Sequence, residues 1–109
     1  MATVYKVLGQ SNPAATTSTA LYTVPAATQA IVSTLTVCNQ AATDGTFRVS
    51  VSVNGATLSA KEYIAYDISL SGKGFITLTL GLTLGAADVV RIYASSANLS
   101  FSAFGTEIA

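Results

Sequence analysis

The chain has 109 residues, with five acidic side chains balanced by five basic ones, one cysteine and no histidine. At 9% charged residues, against about 25% in an ordinary globular domain, it has no clustered Lys and Arg for nucleic acid and no imidazole for a Ser–His–Asp or Cys–His site. With so few charges, the surface is either covered by other subunits or made of Thr, Ser, Asn and Gln.

Period-two alternation organises the chain, which is the signature of half-buried strands. Residues 3–9 form a first strand that is apolar on both faces, with Val4 and Leu8 against Tyr5 and Val7. The uncharged stretch from Ser11 to Thr19 reads as a loop or extended arm, and residues 20–24 as a short strand ahead of Pro25. Residues 30–39 set Ile31, Leu35 and Val37 against Val32, Thr34, Thr36 and Cys38. That is the make-up of a central strand or one covered on its outer side, with Cys38 expected as a small buried hydrophobe. From 46 to 54, Phe47, Val49, Val51 and Val53 alternate with polar residues. The strand ends on Asn54-Gly55, whose tolerance of positive φ favours a type I′ hairpin.

Residues 61–70 place Ile64, Tyr66, Ile68 and Leu70 on one face, so Tyr66 is expected in the core. Residues 74–81 carry a leucine face that includes Leu78 and Leu80. Residues 88–95 alternate Val90, Ile92 and Ala94 with Arg91, Tyr93 and Ser95. The last strand, 98–106, buries Leu99, Phe101 and Ala103, which leaves Phe104 on the opposite side and Ile108 near the terminus. Turn-forming clusters separate these runs, which begin about every 10 to 15 residues, the rhythm of a sandwich or barrel. The expectation is an all-β chain: an antiparallel two-sheet β-sandwich of about eight strands, jelly-roll or immunoglobulin-like, with residues 1–109 as one domain. Its least exposed residues should be Val49, Val51, Ile64, Ile68, Leu78, Leu80, Ile92 and Phe101.

The side chains that could carry chemistry are few. A lone cysteine allows no intrachain disulfide. A reducing compartment is therefore expected, and because the opening Met1-Ala2-Thr3-Val4-Tyr5-Lys6 lacks the basic and apolar stretches of a secretory leader, secretion by the usual route is not. Residues 7–43 hold no charge, but Pro13, Pro25, Gln29 and many hydroxyl residues break any apolar run of ~18, so no membrane span is expected. Glu62 and Asp67 are an odd number apart on one strand and should point to opposite faces. Asp44 and Asp88 are turn residues whose carboxylates bond backbone amides. No loop supplies more than one acid toward a calcium site, and Gly72-Lys73-Gly74 lies between strands, not ahead of a helix. No catalytic residue, cofactor or metal is therefore expected. Tyr63 and Tyr93 fall on a wet face beside Glu62 and Arg91, as protein contacts or glycan platforms.

Three segments carry a resemblance. Tyr5-Lys6-Val7-Leu8-Gly9-Gln10 opens the chain, and Leu21-Tyr22-Thr23-Val24-Pro25 runs into Ala30-Ile31-Val32-Ser33-Thr34-Leu35. Asp88-Val89-Val90-Arg91-Ile92-Tyr93-Ala94-Ser95, with Leu99-Ser100-Phe101 and Phe104-Gly105-Thr106-Glu107, closes it. Together these resemble the small virion proteins of tailed bacteriophages, cyanophages included. The resemblance implies a non-enzymatic structural protein present in many copies on a head or tail. The expectation drawn from it is a capsid decoration or cement protein, homo-oligomeric with a trimer preferred. Its partners would be the major capsid protein or other virion proteins, with no nucleic acid and no membrane, and it would be located in the virion, assembled in the bacterial host cytoplasm. A tail, baseplate or fibre component is the alternative, and a carbohydrate-binding module the next. Contacts are expected through Tyr5, Val7, Leu8, Tyr63, Tyr93, Phe104 and Ile108.

Overall fold

A computed structural model describes residues 2–109. The described residues form eight strands: β1 (Thr3–Ser11), β2 (Thr19–Thr23), β3 (Gln29–Asn39), β4 (Gly45–Ser52), β5 (Tyr63–Leu70), β6 (Phe75–Leu84), β7 (Val89–Ala94) and β8 (Leu99–Ile108). Each expected strand is present, displaced by at most a few residues at its ends. The strands make two four-stranded antiparallel sheets, ordered β1-β8-β3-β6 and β2-β7-β4-β5. The pairs are nested: β1 with β8, β2 with β7, β3 with β6 and β4 with β5. Bonds between β3 and β8 and between β4 and β7 complete the sheets. Such nesting arises when one long antiparallel hairpin wraps over on itself. It is the jelly roll and not the immunoglobulin-like order, in which the sheets are divided differently.

The core lies between the sheets. Phe47, Val49, Leu35, Val37, Val90, Ile92, Leu99 and Phe101 are all at most 1% exposed, and the rings of Phe47 and Phe101 meet edge to face across the gap at 6.2 Å. Asn39, buried at the end of β3, is fully bonded. Its amide nitrogen donates to the carbonyls of Thr43 and Leu70, and its oxygen accepts from the Ala41 N–H. It thereby ties the β3–β4 connection to the end of β5 in the opposite sheet. Residues 12–18 are held against the body of the sandwich: Pro13 is buried, the Asn12 amide donates to the carbonyls of Ala97 and Leu99, and the Thr16 N–H bonds Ala94.

Bulges account for several departures from the sequence reading. An extra residue in one strand re-aims every side chain beyond it. The β4–β5 register slips twice, between Phe47 and Val49 and between Val49 and Ser50, and Asp67 takes φ 51. On this doubly bulged edge strand Ile64 and Tyr66 are exposed, at 43% and 54%, instead of lining the core, while Ile68, opposite the buried Phe47, is still 40% exposed because β5 is the edge of its sheet. Val51, Leu78 and Leu80 are only half-buried. Cys38 is exposed, because its strand, although central, leaves its outer side open. Asn54 and Gly55 have the positive φ expected of them, but they sit in a 3-10 turn, Val53–Gly55, within a longer β4–β5 connection and not in a tight hairpin.

A second set of bulges lines up across the β1-β8-β3-β6 sheet. The register shifts between Val7 and Gly9 against β8, and between Val32 and Thr34 against both β6 and β8. These irregularities meet at the level of Phe104, where the Ser33 hydroxyl donates to the Phe104 carbonyl at 3.1 Å. Gly81, at φ 62, accommodates the extra residue on β6. A bulge increases local bend and twist, and here one row of them crosses the sheet from edge to edge.

Candidate interaction surfaces

The register fixes which residues share the outer face of the β1-β8-β3-β6 sheet. Tyr5 lies opposite Thr106, which in turn lies opposite Ile31, itself paired with Thr83. Val7, Phe104, Thr34 and Thr79 form the next row, followed by Gln10, Ser102, Thr36 and Thr77. Ser100, Cys38 and Phe75 finish the face. No Asp, Glu, Lys or Arg stands on it. Its centre is a field of hydroxyls, with exposed apolar side chains toward the ends: Tyr5 81%, Phe75 75%, Val7 49% and Ile31 37%.

The charged residues are placed elsewhere, many of them bonded. Lys6 and Glu107 lie on the other side of that sheet, where their ends meet at 3.0 Å. The second carboxylate oxygen of Glu107 accepts a 2.5 Å hydrogen bond from the Tyr22 phenol on β2, a strand of the opposite sheet. The Tyr22 hydrogen bond and then Lys6 hold the Glu107 carboxyl below its usual range, against the opposing effect of burial. Burial first, and then the neighbouring carboxylate, pushes the Tyr22 phenol up. Asp44 accepts from the Gly72 amide, and Asp88 from the amides of Gly85 and Asn54, the second of these 34 residues away. Glu62 closes a capping box with Ser59 at the short 3-10 turn before β5.

On the outer face of the second sheet, Arg48 gathers the aromatic residues. It stands directly opposite Tyr93 on β7, and its guanidinium carbon lies 4.2 Å from the Tyr93 ring centre and 4.1 Å from that of Tyr66. Tyr63 meets Tyr66 edge to face at 4.8 Å. Two nitrogens of Arg48 bond the two oxygens of Asp67, at 2.7 and 3.3 Å. This pairing holds the Asp67 carboxyl below its usual range and raises the Arg48 guanidinium. The guanidinium covers one face each of Tyr66 and Tyr93.

The residues singled out from sequence therefore fall into separate places. Tyr5, Val7 and Phe104 come together on the uncharged face, with Ile108 further along β8. Leu8 is the bulged residue of β1 and packs against the core. Tyr63 and Tyr93 belong to the Arg48 cluster on the other sheet. Sequence reasoning missed Arg48 and Asp67 as partners, the exposure of Tyr66, and the Tyr22–Glu107–Lys6 linkage. A shallow groove of about 360 Å³, lined by Ala27, Thr28, Gln29, Gly85, Ala86 and Ile108 among others, lies at one end of the sandwich and holds no ionisable side chain. Among the described residues, no three His, Cys, Asp or Glu side chains converge as a metal site, and no helix is long and apolar enough to cross a membrane.

No protein-family model matches the chain, and no curated protein matches it either. Among solved structures it is similar to two crystal structures of a pentameric capsid protein isolated from metagenomic phage sequences. The first is 16% identical with a TM-score of 0.38, covering 94% of this chain and 60% of the other. The second is 14% identical with a TM-score of 0.37, covering 94% and 64%. The chain thus spans under two thirds of the length of either. Identities this low leave function to be read from this chain's own residues.

Proposed function

We propose that the chain is a non-enzymatic structural protein of a tailed-phage virion, a decoration or cement subunit that stabilises the head shell as a homo-oligomer. The observation that carries this reading is the charge-free outer face of the β1-β8-β3-β6 sheet. The accessible surface of the whole chain, 5571 Å², matches the ~5,600 Å² expected for a folded monomer of this mass. The scarcity of charge is therefore not the result of an unusually small surface, and it is concentrated on one sheet face. A face without charge costs less to desolvate than a charged one, provided that its hydroxyls find hydrogen-bond partners, and each Å² of its apolar area taken from water contributes about 25 cal/mol. Jelly rolls serve viral capsids among other roles, and the segments quoted above resemble tailed-phage virion proteins.

The test is the composition of the particle. Purified virions of the phage that encodes the chain, analysed by quantitative mass spectrometry and labelled with an antibody against it, should carry it in many copies on the head. Labelling confined to tails or fibres would replace the cement role with a tail role. Its absence from purified particles would overturn the virion reading.

A further inference from the structure

We infer that the outer face of the β1-β8-β3-β6 sheet is covered by the same face of a second copy of this chain, sheet against sheet about a two-fold axis. The inference deepens the homo-oligomer part of the proposed function and rests on it.

Chemistry selects the occupant. A carboxylate only accepts hydrogen bonds and an ammonium only donates them, so a charged face meets its own copy with repulsion and unmatched groups. A hydroxyl does both. The rows of Thr34 and Thr79, and of Ser102, Thr36 and Thr77, can therefore satisfy an identical set of hydroxyls rotated upon them. With no charge on the face, there is nothing to steer a basic or acidic partner there, and nothing that a second copy must overcome. Such a contact is isologous, because the same patch serves both subunits.

Area agrees with this choice. Four strands at about 4.8 Å spacing and about nine residues at ~3.3 Å give a footprint near 570 Å² per copy. Two such footprints, before allowing for their corrugation, come to roughly 1,100 Å², close to the lower bound of specific stable interfaces. A single added strand or short peptide would leave most of the face wet. The other sheet offers no comparable face, since its outer side presents Arg48, Asp67 and Arg91.

The native chain carries its own probe. Cys38 is exposed on this face, between Ser100 and Phe75. Its alkylation rate by N-ethylmaleimide is to be measured from nanomolar to hundreds of micromolar chain, alongside the mass by light scattering. The expected result is a mass of at least twice 11.1 kDa and at least a tenfold fall in alkylation rate over the same concentration range. An oligomer in which Cys38 reacts as fast as in dilute chain overturns the face assignment and leaves the homo-oligomer standing. A chain that stays monomeric across the whole range overturns both.

Discussion

Tyr22 and Glu107 join the two sheets of the sandwich. The phenol on β2 donates to the carboxylate on β8 at 2.5 Å, while Lys6 on β1 holds the other carboxylate oxygen at 3.0 Å. Tyr22 is only 8% exposed and the Glu107 side chain 15%, so a carboxylate that loses the phenol has limited access to water as a replacement partner. Replacing Tyr22 by Phe should destabilise the fold by about 1.5–3 kcal/mol, the range for a hydrogen bond to a charged group. Urea unfolding of the variant and the parent chain checks this value.

The same linkage sets a pH profile. Glu107 is held below the usual carboxylate range in the folded chain. Its contribution is therefore complete above about pH 5 and is lost as pH falls through the folded value. Tyr22 is shifted the other way. Its contribution is complete below about pH 10 and is lost as pH rises toward the raised folded value. Denaturant midpoints measured from pH 2 to pH 11 should fall at both ends. In Tyr22→Phe the alkaline fall should shrink and the acid fall should weaken, with part of the acid limb remaining through Asp67, which Arg48 also depresses. Unchanged slopes at both ends would show that the linkage does not contribute.

Ile92 and Ile64 look equivalent in the sequence, each a branched residue in an alternating run, yet they should respond differently. Ile92 is 1% exposed and Ile64 is 43% exposed. Ile92→Ala should cost about 2–5 kcal/mol through lost burial and a cavity, and Ile64→Ala no more than about 1 kcal/mol. Chemical denaturation of the two variants side by side would show whether β5 is bulged as described.

Gly9 is required by a close approach and not by its dihedral angles. A Cβ there would stand 2.2 Å from the backbone carbonyl oxygen of Leu21, where β1 passes over β2. Gly9→Ala should therefore cost more than the ~1 kcal/mol typical of a point substitution. Gly81→Ala, with nothing within 4 Å but φ at 62°, should cost only backbone strain of about 1 kcal/mol. Thermal melts that rank Gly9→Ala as the milder of the two would contradict the close approach.

The strands were legible because each is long enough for alternation to outweigh its neighbours, and because Gly, Asn, Asp and Ser cluster at the breaks. The core faces were legible wherever a strand is regular, as for Phe47, Val49, Ile92 and Phe101. They failed on β5, where the left-handed Asp67 and a second slip at Ile64 change the parity within the run. Nothing local marks Asp67 as a bulge residue. Cys38 was misplaced for a different reason: β3 is central within its sheet, but a central strand still has an outer side. Arg48 and Tyr93 are 45 positions apart and meet only because β4 pairs with β7, and Lys6 reaches Glu107 only because the first strand pairs with the last. The uncharged face has the same origin, since it appears only when four strands distant in sequence are laid side by side.

If the chain assembles through this uncharged face, adding charge to the face should block assembly. Thr36 and Thr79 lie near its centre, on neighbouring strands but not opposite one another. Light scattering should give the double variant Thr36→Lys, Thr79→Lys a mass near 11.1 kDa at concentrations where the parent chain is at least dimeric. Ser69→Lys, which adds charge at an exposed position of the other sheet, should assemble like the parent. A folded double variant that keeps the parent's mass would rule out assembly through this face.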